Sequence, residues 1–299
     1  MRINTNVSSL TAQESAVNTN KSISNSLEKL SSGLRINKAA DDASGLAIAD
    51  KLRTQVTSIN QGVSNGNSAI ALLQIADKSM AEQSTILDTI KAKLIQANTD
   101  TTSSAGRTAI AKDVNKLLDQ LNNIAKQTNY NGTALLQKDT KSSAAGVAAS
   151  SGLTFQVGES TADLIKTKTI QANVTGLSLS TLKSNVSAGA KYTNVNGTAT
   201  GTAFTKVMAS AGQKAIDNAI TKLNGYRGDI GSTQNQVESA VRNLATQATN
   251  IKNAESVIRD VDYAQESANY NKLNIIAQAG SYAISQANST QQNVLRLLQ

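Results

Sequence analysis

Two closely spaced pairs of carboxylates are the first candidates for chemistry: Asp41-Asp42 and Asp260/Asp262. Such pairs can share a proton or hold a metal ion. Here they stand among small residues, as in Ala40-Asp-Asp-Ala-Ser-Gly-Leu46, where acidic side chains stabilise a helix N-terminus. The sequence predicts that plainer role. Ser26-Leu-Glu-Lys29 has the Ser-x-x-Lys spacing of acylating enzymes, but it lies inside an amphipathic run without the partner motifs. Gly225-Tyr-Arg-Gly-Asp-Ile-Gly231 is glycine-rich, yet it follows no strand and lacks the Gly-Lys-Ser/Thr ending of a phosphate loop. A local loosening or bend of a helix is expected there instead. Asn131-Gly-Thr and Asn196-Gly-Thr match the N-glycosylation pattern, which carries meaning only on a secretory route. With no Cys and no His, thiolate nucleophiles, imidazole bases and the usual zinc sites are excluded. No catalytic, cofactor-binding or metal-ligating residue is predicted.

The function must then lie in surfaces, and composition narrows which. The chain has 299 residues and no Pro, so long helices can run without kinks. Aromatics are 3% with no Trp, which leaves Ala, Leu, Ile and Val to form the core. The net charge of +8 is spread as isolated Lys; the tight clusters Lys91/Lys93 and Lys166/Lys168 have no interleaved aromatics, so no nucleic-acid partner is expected. Residues 1–44 hold five basic and four acidic side chains, and 258–299 hold three of each, so the ends are close to neutral and suited to burial. The opening Met-Arg-Ile-Asn-Thr-Asn is polar, and no secretory signal peptide is expected. No apolar run approaches a membrane span, and no membrane partner is expected.

The elements follow from periodicity. Leu273, Ile276, Gly280, Ala283, Ala287, Thr290, Val294 and Leu297 succeed one another at 3–4 spacing, a heptad seam with a small-residue middle. A matching seam opens the chain with Ile3, Val7 and Leu10, slips near Val17, and resumes with Ile23, Leu27, Leu30 and Leu34. Gly33 marks its end. From Leu52 a third seam runs Leu52, Val56, Ile59, Val63, Gly66, Ile70, Leu73, Met80, Leu87 and Leu94, the polar Asp77, Ser84 and Lys91 occupying skipped slots. A helix this long belongs to a bundle or coiled coil. After a turn at 98–106, Ile110, Val114, Leu117, Leu121 and Ile124 predict a shorter helix ending at the turn Asn129-Tyr-Asn-Gly132. In 139–208, Ser and Thr make up 21 of 70 residues and helical periodicity lapses. Leu153–Val157 and Thr167–Val174 read as short exposed strands or hairpins. A second long helix follows, with Ile216, Ile220, Leu223, Ile230, Val237, Val241, Leu244, Ala248, Ile251 and Ile258, yielding near 255–262 to the terminal one. The fold expected is mainly α: paired terminal coiled-coil helices (1–44 and 258–299), and a long antiparallel helical bundle (45–257) with a small β-hairpin segment in a variable insert at about 139–208.

Several stretches together resemble one family, bacterial flagellin. They are the opening Met-Arg-Ile-Asn-Thr-Asn-Val-Ser-Ser-Leu10, the run Leu30-Ser-Ser-Gly-Leu-Arg-Ile-Asn-Lys-Ala-Ala-Asp-Asp-Ala-Ser-Gly-Leu-Ala-Ile-Ala-Asp-Lys51 and Thr128-Asn-Tyr-Asn-Gly132. Ala254-Glu-Ser-Val-Ile-Arg-Asp-Val-Asp-Tyr-Ala264, Ile276-Ala-Gln-Ala-Gly280 and Asn293-Val-Leu-Arg-Leu-Leu298 match as well. The resemblance covers about 1–138 and 204–299, and more weakly 153–179. It implies a non-enzymatic filament subunit, exported unfolded to the outside of the cell and polymerised into a hollow tube for motility. It further implies an export chaperone and cap and hook-junction proteins as partners. The self-assembly core would be the two terminal seams, namely Ile3, Val7, Leu10, Ile23, Leu27, Leu30 and Leu34 with Leu273, Ile276, Gly280, Ala283, Ala287, Val294 and Leu297. Asp41, Asp42, Leu46, Ile48 and Lys51 would meet adjacent subunits at the junction between shells. Flagellins sensed by Toll-like receptor 5 carry Arg and Leu at the positions of Thr89 and Lys93 and a Glu at that of Asp113. This chain departs at all three, which implies weak or no binding of that receptor. The family's usual Pro near Ser289–Gln292 is absent, so the last helix is expected to continue there. A hook–filament junction protein, or another secreted coiled-coil adhesin, is the alternative reading of the same helices.

Overall fold

A computed structural model describes residues 6–137, 152–195, 198–200 and 202–297, with the backbone alone at 193–195, 198–200, 291 and 293–297. The helices are α1 (Val7–Ser32), α2 (Ala43–Ala97), α3 (Ser104–Gln127), α4 (Ser180–Ala190), α5 (Lys206–Arg259) and α6 (Tyr263–Leu297). Three two-stranded antiparallel ladders join them: β1 (Asn129–Tyr130) with β2 (Thr133–Ala134), β3 (Thr154–Gln156) with β4 (Leu164–Lys166), and β5 (Thr193–Val195) with β6 (Thr198–Thr200). The chain divides into two compact units, one of residues 1–57 and 247–299, the other of 58–246. This is the mainly α architecture the periodicity predicts. α6 continues to Leu297 without the family's Pro.

Within the larger unit, α2 and α5 run antiparallel: Asp77 pairs with Arg227 at 2.8 Å, and Lys91 with Asp217 at 2.6 Å. The inward slots of α2 are Ile59, Gly62, Gly66, Ala69, Leu73, Ala76, Met80, Gln83, Leu87, Ile90, Leu94 and Ala97, all buried and all at 3–4 spacing. Leu73, Met80, Leu87 and Leu94 fall where the sequence places them. The alternate slots, Gly62, Ala69, Ala76, Gln83 and Ile90, sit one residue earlier than Val63, Ile70, Asp77, Ser84 and Lys91, and the first three are small. At Gly66, which the sequence does place in the seam, a Cβ would lie 2.4 Å from Val241 Cγ2, so the backbones of α2 and α5 approach closely. The same slip recurs on α5 at Ala219 in place of Ile220, and on α3 the seam slips one residue the other way, to Leu118 and Ala125 in place of Leu117 and Ile124.

The insert departs from expectation. The partner of β3 is Leu164–Lys166, whereas 167–172 forms no strand. A helix, α4, occupies Ser180–Ala190, where periodicity lapses. Nor is the region merely exposed, since Ala172, Val174, Leu177, Leu179, Leu182, Val186 and Phe204 belong to the bundle core. The segment predicted at Asn129–Gly132 is a tight hairpin, with Asn131 (φ 48°) and Gly132 (φ 81°) both left-handed as its two-residue loop requires. The glycines at 225, 228 and 231 do not loosen α5, which is α-helical throughout them.

In the smaller unit, Gly33 ends α1 at φ 74°, its N–H donating to Lys29 O. A Cβ there would lie 2.9 Å from the Tyr263 hydroxyl. Gly33→Ala is expected to destabilise the chain by about 1 kcal/mol, chiefly through the left-handed backbone. A thermal midpoint at or above that of the parent would contradict this.

Candidate assembly surface

The terminal helices pair through an unexpected face. Asn6 Nδ2 donates to Ala287 O at 3.2 Å at one end, and Ser26 Oγ donates to Glu266 Oε1 at the other, so α1 and α6 are antiparallel. On α1 the half-buried or buried residues are Ser9, Ala12, Ala16, Thr19, Ile23, Ser26 and Leu30; on α6 they include Glu266, Tyr270, Leu273, Ala277, Gly280, Ile284 and Ala287. Each set is an unbroken heptad, mostly of small or polar residues. The register of the two hydrogen bonds brings Ala12 level with Gly280 and Ala16 level with Ala277.

This pairing divides the predicted assembly residues. Ile23, Leu30, Leu34, Leu273, Gly280 and Ala287 are half-buried, whereas Ala283 is exposed. Val7 (62%), Leu10 (55%) and Leu27 (53%) on α1, and Ile276 (43%) on α6, remain open to solvent. Ile3 and the side chains of Val294 and Leu297 lie outside the described residues. Val17 on α1, and Ile275 and Tyr282 on α6, are exposed as well. Sequence reasoning placed Ile23, Leu30, Leu273, Gly280 and Ala287 of these inward faces but passed over Ser9, Ala12, Ala16, Thr19, Ala277 and Ile284, because on α1 it followed bulk; the signal available there was the Ser9-Ala12-Ala16-Thr19 spacing.

The junction between the helices is built by backbone and carboxylates. Arg35 N–H donates to Arg259 O at 2.7 Å and Val261 N–H to Gly33 O at 3.0 Å, an isolated antiparallel bridge centred on Leu34 and Asp260. Asp41 Oδ2 accepts from the backbone N–H groups of Asn37 and Lys38, while Asp42 Oδ1 accepts from Gly45 N–H and Ser44 Oγ, capping α2. Asp262 caps α6 through Ala264 and Gln265 N–H, and Asp260 Oδ2 accepts from Ser256 Oγ. Asp42 and Asp262 thus take the helix N-terminal role that the sequence predicts, Asp41 ties the turn that precedes α2, and Asp260 meets a side-chain hydroxyl. Among the described residues no group of three His, Cys, Asp or Glu side chains could hold a metal ion. Leu46 is half-buried, and Ile48 and Lys51 are exposed on the first turns of α2.

The backbone donors have an electrostatic consequence. Lys38 N–H above all lowers the pKa of Asp41, and Gly45 N–H above all lowers that of Asp42. A depressed carboxyl contributes its stabilisation above the unfolded value, near 3.8, and loses it as pH falls through the lower folded value. In an NMR titration the Gly45 amide should therefore shift with a midpoint below 3.8, and a midpoint above it would refute the cap.

Elsewhere on the bundle, Thr89 is exposed on α2 and its Oγ1 donates to Thr85 O at 2.9 Å. Lys93 Nζ pairs with Asp113 Oδ2 on α3 at 3.0 Å. The three altered positions thus lie on α2 and α3, and two of them are joined.

A mainly helical subunit whose two ends zip together by small residues, leaving larger apolar residues of the same helices uncovered, belongs to the class of self-assembling structural proteins. Comparison with known proteins makes the class specific. The bacterial flagellin N-terminal helical region matches residues 3–141, and the bacterial flagellin C-terminal helical region matches 213–298. Flagellin of Bacillus subtilis (strain 168) is 34% identical over 303 aligned residues, covering 100% of each chain. The flagellar filament 33 kDa core protein of Treponema phagedenis is 33% identical, again over 100% of both. A solved structure described as a flagellar hook-associated protein of Vibrio parahaemolyticus shares the fold alone, with a TM-score of 0.57 at 15% identity over 73% of this chain and 99% of that one. The chain belongs to the bacterial flagellin family, and is a structural subunit of the flagellar filament rather than an enzyme.

Proposed function

We propose that copies of this chain polymerise by burying the outward faces of α1 and α6 against neighbouring copies, forming a hollow helical tube. The single observation that supports this reading is the exposure of Val7, Leu10, Val17, Leu27, Ile275, Ile276 and Tyr282 on helices already paired by their other faces. Apolar rows of this size are normally covered by a partner. Residues 1–44 and 258–299 form the inner wall in this reading, with 45–257 outside it and the insert at about 139–208 facing outward. Asp41, Asp42, Leu46, Ile48 and Lys51 lie where the two layers meet and contact adjacent subunits. The subunit is exported unfolded, handled by an export chaperone and by cap and hook-junction proteins, and works outside the cell. The absence of Cys and Pro suits threading, since no crosslink and no slow prolyl isomerisation delays refolding.

Electron microscopy of the purified protein after seeding, beside a variant truncated at Ala254, tests this. Tubes from the full chain and none from the variant are expected. An intact chain that stays monomeric with full helical content would favour a hook–filament junction role. The reading also includes weak Toll-like receptor 5 recognition, because Thr89 presents a hydroxyl bonded to its own helix and Lys93 is committed to Asp113. Strong activation of receptor-bearing reporter cells by purified monomer would overturn it.

A further inference from the structure

Of the twelve inward slots of α2 between Ile59 and Ala97, eleven hold apolar residues or glycine and one holds Gln83. Gln83 is fully buried. Its amide faces two carbonyls, Leu121 O on α3 at 3.2 Å and Ala172 O at 2.8 Å. Only an NH2 group can satisfy two acceptors, so the atom aimed at them is Nε2. Oε1 is buried without a hydrogen-bond partner.

Ala172 opens an irregular strap, 172–179, that leads into α4. Ala172 N–H donates to Leu136 O at 2.8 Å, and Val174 N–H to Asn122 Oδ1 on α3 at 2.9 Å. Lys222 Nζ on α5 donates to Gly176 O at 2.6 Å, and Ser178 is held at φ 60°. Ala172, Val174, Leu177 and Leu179 are all buried.

We infer that Gln83 is a positioning residue, one that fixes where the strap 172–179 docks on the bundle and does so at some expense to core stability. The apolar contacts of Ala172, Val174, Leu177 and Leu179 attract without direction, so a shift along the bundle would exchange one methyl contact for another. A hydrogen bond to one particular carbonyl does not tolerate that shift. A bare oxygen in an apolar seam opposes folding, and a buried polar group of this kind is best accounted for by specifying register. The strap in turn places α4 and keeps the end of the insert within the bundle core.

The test is made on the full-length monomer, so it stands or falls apart from polymerisation. Gln83→Leu removes both the donors and the unpaired oxygen. Its thermal midpoint should fall by no more than a few degrees, because removal of the bare Oε1 offsets in part the donor lost to the buried Ala172 O. Amide exchange at Ala172, Val174 and Leu177 should accelerate about five- to tenfold, with the amides of Leu87, Leu118 and Leu223 little changed. Gln83→Met, unbranched and of similar length, carries the same comparison if the Leu variant does not fold. Strap amides that keep parental protection in the folded variant would overturn the inference. So would an acceleration shared equally by the three helices, which would mark Gln83 as ordinary core.

Discussion

Polymerisation of a Leu10→Asp, Leu27→Asp variant is expected to fail at every concentration at which the parent assembles, while the helical content of its monomer stays nearly parental. Both side chains are more than half exposed in the single chain, so little intrachain packing depends on them. Between copies the balance differs. Burying a Leu fully contributes about 1.5–3 kcal/mol. Since each Leu is already nearly half buried in the single chain, about half of that is at stake per residue, and losing it at both raises the concentration needed for assembly roughly ten- to a few hundredfold, before any cost of burying carboxylates. Sedimentation of seeded samples over a concentration series measures this directly. Tubes at the parental threshold would show that this face stays wet in the filament. A collapse of monomer helicity would show that it serves the chain's own fold.

The second large effect concerns the bundle. Leu87 is fully buried at an inward slot of α2, and Ile95, two turns further on, is more than half exposed. Leu87→Ala is expected to cost about 2–5 kcal/mol, the sum of lost transfer energy and the cavity left behind. For a unit of this size that corresponds to a midpoint lowered by roughly 5–20 °C. Ile95→Ala on the same helix should stay within about 0.5 kcal/mol of the parent. Similar losses at both sites in thermal unfolding would mean that the inward slots are misassigned.

Helices α1, α2, α3, α5 and α6 are legible because chain-long 3–4 periodicity without Pro leaves few alternatives. Which face turns inward is less legible. Large apolar residues such as Met80 and Leu94 mark the wide gaps of a bundle, but its close approaches are marked by Gly66, Ala76 and Ala97, which carry almost no hydropathy signal. The α1–α6 pair is the extreme case, since its inward seam includes Ser9, Ala12, Ala16 and Ala277, while Val7, Leu10, Val17, Ile275 and Tyr282 are exposed. The carboxylates at 41, 42 and 262 are readable because capping and turn closure are local matters of backbone N–H groups within a few residues. The insert is not readable. α4 is short and rich in Ser, and only the distant core of α3 and α5 makes Leu182, Val186 and Phe204 worth burying. Gln83 likewise reads as an outward polar residue until Ala172 is placed against it.

The bond from Asn6 to Ala287 spans 281 residues, and the partner of α1 is α6. A chain cut short anywhere before α6 has an α1 with nothing to zip onto, however well its bundle folds. Of the two compact units, the one that holds this pair is assembled from stretches far apart in sequence, 1–57 and 247–299, whereas the other is built from the continuous stretch 58–246.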